Sequence, residues 1–277
     1  MKRYPCVLSI AGSDCSGGAG IQADIKTISA LGAYAASAIT AITVQNTRGV
    51  ETVFPIPAAI VAGQIKAVLS DIQPDAVKIG MVNDISIIQS IAACLREFHP
   101  KYVIFDPVMV STSGRRLMED SAIEALTKEL IPETTLITPN LSEAEVLTGK
   151  KVSTIEEMKT AAKEILKLGS KAVLVKGGHL LGNNMTDVLQ LKEVETPFLF
   201  TSTQIESKNT HGTGCTLSSA IATYLSLGEP LEQAVEKAKI YLYNCICKGK
   251  DIHIGEGHGP LNHLYQPVPM HIFKENE

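Results

Sequence analysis

Residues 6–31 read "CVLSIAGSDCSGGAGIQADIKTISAL" and hold one complete structural unit. The run 6–12 has the length and residue types of a buried strand, and Ile21, Ile25, Ile28 and Leu31 recur at helical steps. The loop between them carries Gly17, Gly18 and Gly20, residues that let another backbone or a small ligand approach closely. Similar apolar runs recur at 36–44, 76–81, 102–108, 135–140 and 172–178, separated by segments of helical period such as Ile85, Ile88, Ile91 and Leu95. Strands that alternate with helices require crossover connections, so the expectation is an α/β fold with a mainly parallel sheet covered on both faces. After Gly178 the rhythm changes: 185–191 and 194–205 predict a hairpin, and 214–227 and 231–247 predict two helices. No linker or internal repeat interrupts residues 1–277, which points to one domain.

The composition narrows the function. Of 277 residues, 45% are hydrophobic and 19% charged, a globular balance with ample core material. The net charge of −4 is dispersed rather than blocked, which argues against a nucleic-acid or anionic-membrane surface and for a small-molecule ligand. No run of 18 apolar residues occurs, and "MKRYPCVLSIAGSDCSGG" is broken too early by Asp14 and glycines for a secretory signal, so the expected location is cytoplasmic. The six cysteines show no metal-like spacing. They read as reduced thiols, Cys6 and Cys94 buried, with Cys245 and Cys247 on different faces of a helix.

In an open α/β sheet, ligands gather at the carboxyl ends of the strands, so the residues after each run matter most. "AGSDCSGGAGIQAD" (11–24) fits neither the dinucleotide fingerprint nor a P-loop. Its Asp24 has two readings, a partner of the helix dipole or a ligand for a substrate hydroxyl. "THGTGCTLSSAI" (210–221) is more telling, because Gly212, Thr213, Gly214 and Cys215 lead straight into a helix. Amides there form an anion site suited to the charge on a transferring phosphoryl group. The same field is expected to lower the Cys215 thiol pKa and let it accept a proton from an alcohol, the alternative being a packing cysteine. In "PNLSEAE", Ser142 and Glu145 match an S-x-x-E capping box, leaving Asn140 and Glu143 for a water shell around Mg²⁺ or for phosphates. Lys176 ends an apolar strand, where burial is costly without an anion, and Asp106 ends another, where it either helps place a metal or caps a turn.

Taken together, "IAGSDCSGGAGIQADIKT", "AITVQNTRGV", "KIGMV", "DPVMVSTSG", "TPNLSEAE", "LVKGGH", "KNTHGTGCTLSSAIA" and "GHGPLNH" resemble the hydroxymethylpyrimidine and hydroxymethylpyrimidine phosphate kinases of thiamin biosynthesis. These are members of the ribokinase-like superfamily, and the likeness covers residues 6 to 263. The resemblance implies a three-layer αβα sandwich, ATP with Mg²⁺, and two phosphorylations. The first falls on the hydroxymethyl group of 4-amino-5-hydroxymethyl-2-methylpyrimidine and the second on the resulting monophosphate. It implies that Cys215 replaces the aspartate base of ribokinase-like sugar kinases, a weaker base tolerated because the loose transition state asks mainly for positioning.

The resemblance further puts the pyrimidine against Gly12, Asp24 and Gln45, with Met81 and Val108 lining the ring and Gln45 reading the aminopyrimidine edge. Asn140, Glu143, Lys176 and Lys239 would attend the phosphates and the metal, Lys239 being equally readable as a solvated helix lysine. The family's usual "SGD" is here "SGRR", and Arg115 and Arg116 either bind a substrate phosphate or face solvent. A homodimer is implied. Two rival readings are a pyridoxal kinase and a non-catalytic pyrimidine-binding module. "VQNT" and the absence of a second cysteine after "DPVM" argue against the first, and the presence of Cys215, Lys176 and the glycines argues against the second.

Overall fold

The computed structural model describes residues 2–109, 118–178 and 184–274. Arg115 and Arg116 lie outside them. The strands are β1 (Lys2–Arg3), β2 (Cys6–Asp14), β3 (Tyr34–Asn46), β4 (Gly49–Pro55), β5 (Ala76–Ile79), β6 (Val103–Phe105), β7 (Leu136–Ile137), β8 (Ala172–Val175), β9 (Asn184–Leu191), β10 (Phe198–Thr203) and β11 (Phe273–Lys274). The α-helices are α1 (Gly20–Ala30), α2 (Ala58–Asp71), α3 (Ile85–Phe98), α4 (Asp120–Ala125), α5 (Leu141–Thr148), α6 (Ile155–Leu166), α7 (Thr213–Ser226) and α8 (Leu231–Gly249). The main sheet has the order β10-β9-β8-β7-β6-β5-β2-β3-β4.

From β8 to β3 all neighbours are parallel, as the alternation of strands and helices requires. The hairpin partners β9 and β10 close one edge antiparallel, and β4 closes the other. Strand β4 was not visible in the sequence pattern. Its residues are mostly exposed and it survives by pairing with the long β3 rather than by burying an alternating face. Leu8, Ile10, Val77 and Ile79 face a core shared with α2, α3 and α6, whereas Val7, Ala76 and Ile104 face one shared with α1, α7 and α8. The mainly parallel three-layer α/β expectation is met.

The chain leaves β2 for β3 on one side and later returns to lay β5 on the other side of β2. That reversal opens a crevice at the carboxyl ends of β2 and β5, where a ligand enters without displacing a crossover. It is the physical origin of the cleft described below.

Helix α1 departs from the periodicity read in the sequence. Ile25 is exposed, and the buried stripe runs through Ile21, Asp24, Ile28 and Leu31. Asp24 is 0% exposed and meets Lys78 of β5, also 0% exposed, whose Nζ lies 2.9 and 2.8 Å from its two oxygens. Ser9 of β2 and Ser219 of α7 each donate a hydroxyl to the same carboxylate. Burial works against the lysine's charge, but Asp24, with Cys215 and Asp106 nearby, holds the Lys78 pKa above its ordinary value.

Removing one partner of such a pair strands a charge in the core. Lys78→Met should cost about 3–5 kcal/mol of stability, and Asp24→Leu combined with Lys78→Met should recover much of it. Urea unfolding of the single and double variants checks this, and a single variant of wild-type stability would contradict it.

Candidate active site

Two glycine loops meet at the crevice. The loop after β2 returns on itself at Gly20, whose φ is +55°, with the Gly12 carbonyl where a Cβ would stand. Gly212, φ +88°, is the N-cap of α7 and packs its Cα side onto the carbonyl of Gly18. A side chain at either position would drive the loops apart, so glycine here is a requirement of contact as well as of φ.

Asp14 organises the first loop. Its Oδ1 accepts from Ser16 N at 2.8 Å and Ser16 Oγ at 2.7 Å, and its Oδ2 from Gly18 N at 3.1 Å, Ala19 N at 2.8 Å and His211 Nε2 at 2.9 Å. Burial opposes the charge, but the bonds from His211, Ser16 and Ala19 outweigh it and hold this carboxyl well below the usual range. His211 Nε2 also lies 3.1 Å from Gln45 Nε2. The two loops and the end of β3 are thereby tied at one imidazole.

Beyond Gly212, the first turn of α7 leaves N–H groups without helical partners, as every helix start does. Opposite Gly214 stand Asp106 and Lys176: a Cβ on Gly214 would come within 3.0 Å of Asp106 Oδ2 and 3.5 Å of Lys176 Nζ. Lys176 Nζ is 2.7 Å from Asp106 Oδ1, which also accepts from Thr138 Oγ1 at 3.0 Å. Burial works against the charge on Lys176, but Asp106 and Glu143 reverse the balance and raise its pKa. Burial pushes the Glu143 carboxyl up to about 7, opposed by Lys176 and reinforced by Asp106. At the far end, Lys239 is paired with Asp187 and is not a solvated helix lysine. Asp187 also accepts from Gly177 N at 2.9 Å.

These groups line a cleft of about 810 Å³. Of the residues expected from the sequence, Gly12, Gln45, Met81, Val108, Asp106, Asn140, Glu143, Lys176, Lys239 and residues 212–215 all border it. Asp24 does not, because its carboxylate is sealed beneath the floor by Lys78, Ser9 and Ser219. Its expected contact with a substrate hydroxyl is thus replaced by support of α7 from below.

Two further expectations change. The capping box of α5 is Asn140 with Glu143, not Ser142 with Glu145: Asn140 Oδ1 accepts from Glu143 N at 2.9 Å and Glu143 Oε2 from Asn140 N at 2.8 Å. Glu145 instead accepts from Val152 N at 2.9 Å. Asn140 and Glu143 therefore serve as a cap and also face the cleft, because a helix that starts at a strand's carboxyl end presents its cap to the crevice.

The Cys215 thiol is not acidified. Burial pushes it up to about 11; Lys78 below it pulls the other way, and Asp24 and Asp106 push with the burial. Loss of water dominates, although Cys215 is half-buried and borders the cleft.

Asp14, His211, Lys78 and Asp187 escaped the sequence reading. A lysine inside the apolar run "AVKIGM" was a usable signal, since such a charge must meet a partner. His211 and Asp14, 197 residues apart, carried none.

A positive helix terminus and a lysine converge beside a pair of carboxylates, at one end of a cleft whose other end carries a side-chain amide and apolar walls. That combination defines a phosphotransferase acting on small molecules. Residues 14–262 match the phosphomethylpyrimidine kinase family, and the chain belongs to it. It is 50% identical to the hydroxymethylpyrimidine/phosphomethylpyrimidine kinase of Rhizobium meliloti over 260 residues, 94% of this chain and 97% of that one. It is 48% identical over 258 residues to the thiamine biosynthesis bifunctional protein ThiED of Geobacter sulfurreducens, of which it spans about half, 52%.

Among solved structures it resembles the phosphomethylpyrimidine kinase of Clostridium difficile, with 48% identity, a TM-score of 0.78 and coverage of 87% of this chain and 99% of that one. It also resembles the pyridoxal kinase of Staphylococcus aureus in complex with AMP-PCP, with 34% identity, a TM-score of 0.87 and coverage of 98% of both. The chain is a ribokinase-like, ATP-dependent kinase of thiamin biosynthesis, and the pyridoxal kinase alternative is the less supported one. Among the described residues no helix is long and apolar enough to cross a membrane.

The thiol environments give an ordered expectation. Cys15 is exposed, while burial raises Cys6 and Cys245 to about 12 and Cys94 in the same direction. Iodoacetamide at pH 7.5 should therefore label Cys15 before Cys215, the reverse of what an acidified Cys215 would give. Labelling of Cys215 should rise with pH as its value of about 11 is approached. Peptide mapping after timed alkylation at pH 7.5 and 9.5 reads both.

Proposed function

We propose that this chain phosphorylates the hydroxymethyl group of 4-amino-5-hydroxymethyl-2-methylpyrimidine and then the monophosphate so formed. The observation that carries the reading is the placement of Gln45 and residues 212–215 on one cleft, a ring-edge reader and an anion site facing common space. The pyrimidine lies against Gly12, Met81 and Val108 with its amino edge on Gln45. The hydroxymethyl oxygen approaches Cys215, whose sulfur orients the alcohol and whose thiolate form takes up the alcohol's proton late, as a loose phosphoryl transition state permits. N–H groups of residues 213–215 hold the charge that develops on the transferred group. Lys176 and Lys239 meet the phosphates of ATP, each released from its carboxylate partner or sharing it.

The donor set suits Mg²⁺. Asp106 and Glu143 supply two carboxylates, and no cluster of three metal-ligating groups occurs among the described residues. Mg²⁺ keeps most of its waters and takes one or two carboxylates together with phosphate oxygens. When bound there it neutralises phosphate charge. Asn140 and Glu143 hold the surrounding water through the α5 cap. The chain acts as a single catalytic domain and as a homodimer. Support for pairing comes from the edge strand β4 and its neighbour β3, which expose Val53 and Phe54, and Ile42 and Val44.

Turnover of purified protein with Mg·ATP should be highest on the pyrimidine alcohol and its monophosphate and lower on pyridoxal. Cys215→Ala should reduce kcat by about 10²–10⁴-fold and leave the KM for ATP near its original value. Unchanged kcat would return Cys215 to a packing role.

A further inference from the structure

We propose that His211, held by Asp14, locks the carboxamide of Gln45 in one orientation and so decides which way round the substrate ring sits. The inference rests on Gln45 being the residue that reads the ring. A carboxamide can present its oxygen or its nitrogen by a half-turn of its last bond, so the partners decide which atom goes where.

The partners leave one answer. Ser16 N, Ser16 Oγ, Gly18 N and Ala19 N all donate to Asp14, so both of its oxygens act as acceptors. His211 Nε2, 2.9 Å from Asp14 Oδ2, must then carry a hydrogen. The end of Gln45 that lies 3.1 Å from this nitrogen can share its one hydrogen with Asp14 only as the oxygen, since an amide nitrogen there would set N–H against N–H. Its other end lies 3.1 Å from Thr43 Oγ1, whose own hydrogen is used on Ser13 O at 2.8 Å. That hydroxyl oxygen is free to accept an amide hydrogen. With the amide set this way no donor faces a donor, and Gln45 offers the cleft one acceptor on the His211 side and one donor on the Thr43 side.

A ligand edge that fits must carry a donor toward His211 and an acceptor toward Thr43. The 4-amino group and N3 of the aminopyrimidine supply that pair. The hydroxymethyl group is the neighbour of the amino group on the ring, on the side away from N3. An amino group turned toward His211 therefore aims the alcohol at residues 212–215, which follow His211 directly in the chain. His211 is a positioning residue: it acts through Gln45 and joins recognition of the ring to delivery of the alcohol.

The test uses a substrate with the opposite edge, 5-hydroxymethyl-2-methylpyrimidin-4-one, which presents a carbonyl where the amine was and an N–H where N3 was. In the wild type kcat/KM should favour the amino alcohol by at least about 10²-fold, because the reversed edge leaves both amide groups mispaired. His211→Phe keeps a ring without the N–H, frees Gln45 to turn, and should bring the preference within about tenfold, with the KM for ATP little changed. His211→Gln, whose amide nitrogen can still donate to Asp14, should restore most of the preference. Thermal melts accompany each variant, and if His211→Phe melts early, His211→Ala carries the same comparison. A preference that persists in a folded variant lacking the N–H, while Gln45→Ala abolishes it, overturns the lock but keeps Gln45 as the reader. Persistence in Gln45→Ala overturns the reading of Gln45 itself.

Discussion

The buried pair of Asp24 and Lys78 is the contact on which the rest of the site stands. Lys78 lies in the central strand β5, Asp24 in α1, and the hydroxyls that complete the carboxylate's shell come from β2 and α7. One ion pair thus fixes the sheet against both helices whose starts form the cleft. Two desolvated charges are costly to bury, and their attraction offsets that cost only where geometry and extra hydrogen bonds are good. The arrangement is therefore weak as a source of stability and strong as a constraint on register, since a shift of α1 or α7 by one residue would orphan a charge.

The pair also sets the electrostatics above it. Lys78 draws the Cys215 thiol downward, but its charge is already answered by Asp24. In the proposed reaction the positive potential at the phosphoryl group comes instead from backbone amides at the start of α7 and from Lys176, whose carboxylate partner Asp106 borders the same cleft. There the amides carry the developing charge, and the thiolate form of Cys215, scarce because burial raises the thiol, takes the proton only when the alcohol has become acidic.

Much of this was legible in the sequence where a local rule applied. Alternating strands and helices fixed a parallel sheet, and the glycines before α7 marked a loop that borders the cleft. Errors arose where two local rules competed. Ile25 and Asp24 both fit a helical face, and hydropathy favoured Ile25, but a partner in β5 put Asp24 inside. The motif "PNLSEAE" holds two overlapping capping boxes, and the helix began at the first of them because Pro139 and Asn140 end the β7 connection there.

From the sequence alone came the class of fold, the family, and a set of site residues of which all but Asp24 border the cleft, because backbone periodicity and glycine placement are written within short windows. Tertiary structure alone decided which of those residues border the cleft and which are turned on one another. Asp24 moved from ligand to foundation, the thiol of Cys215 was raised rather than lowered, and His211 became the joint between two loops. The reason is the same in each case: the ionisation and hydrogen-bonding state of a buried polar group is set by neighbours from distant parts of the chain and by loss of water, and neither is encoded in the residues beside it.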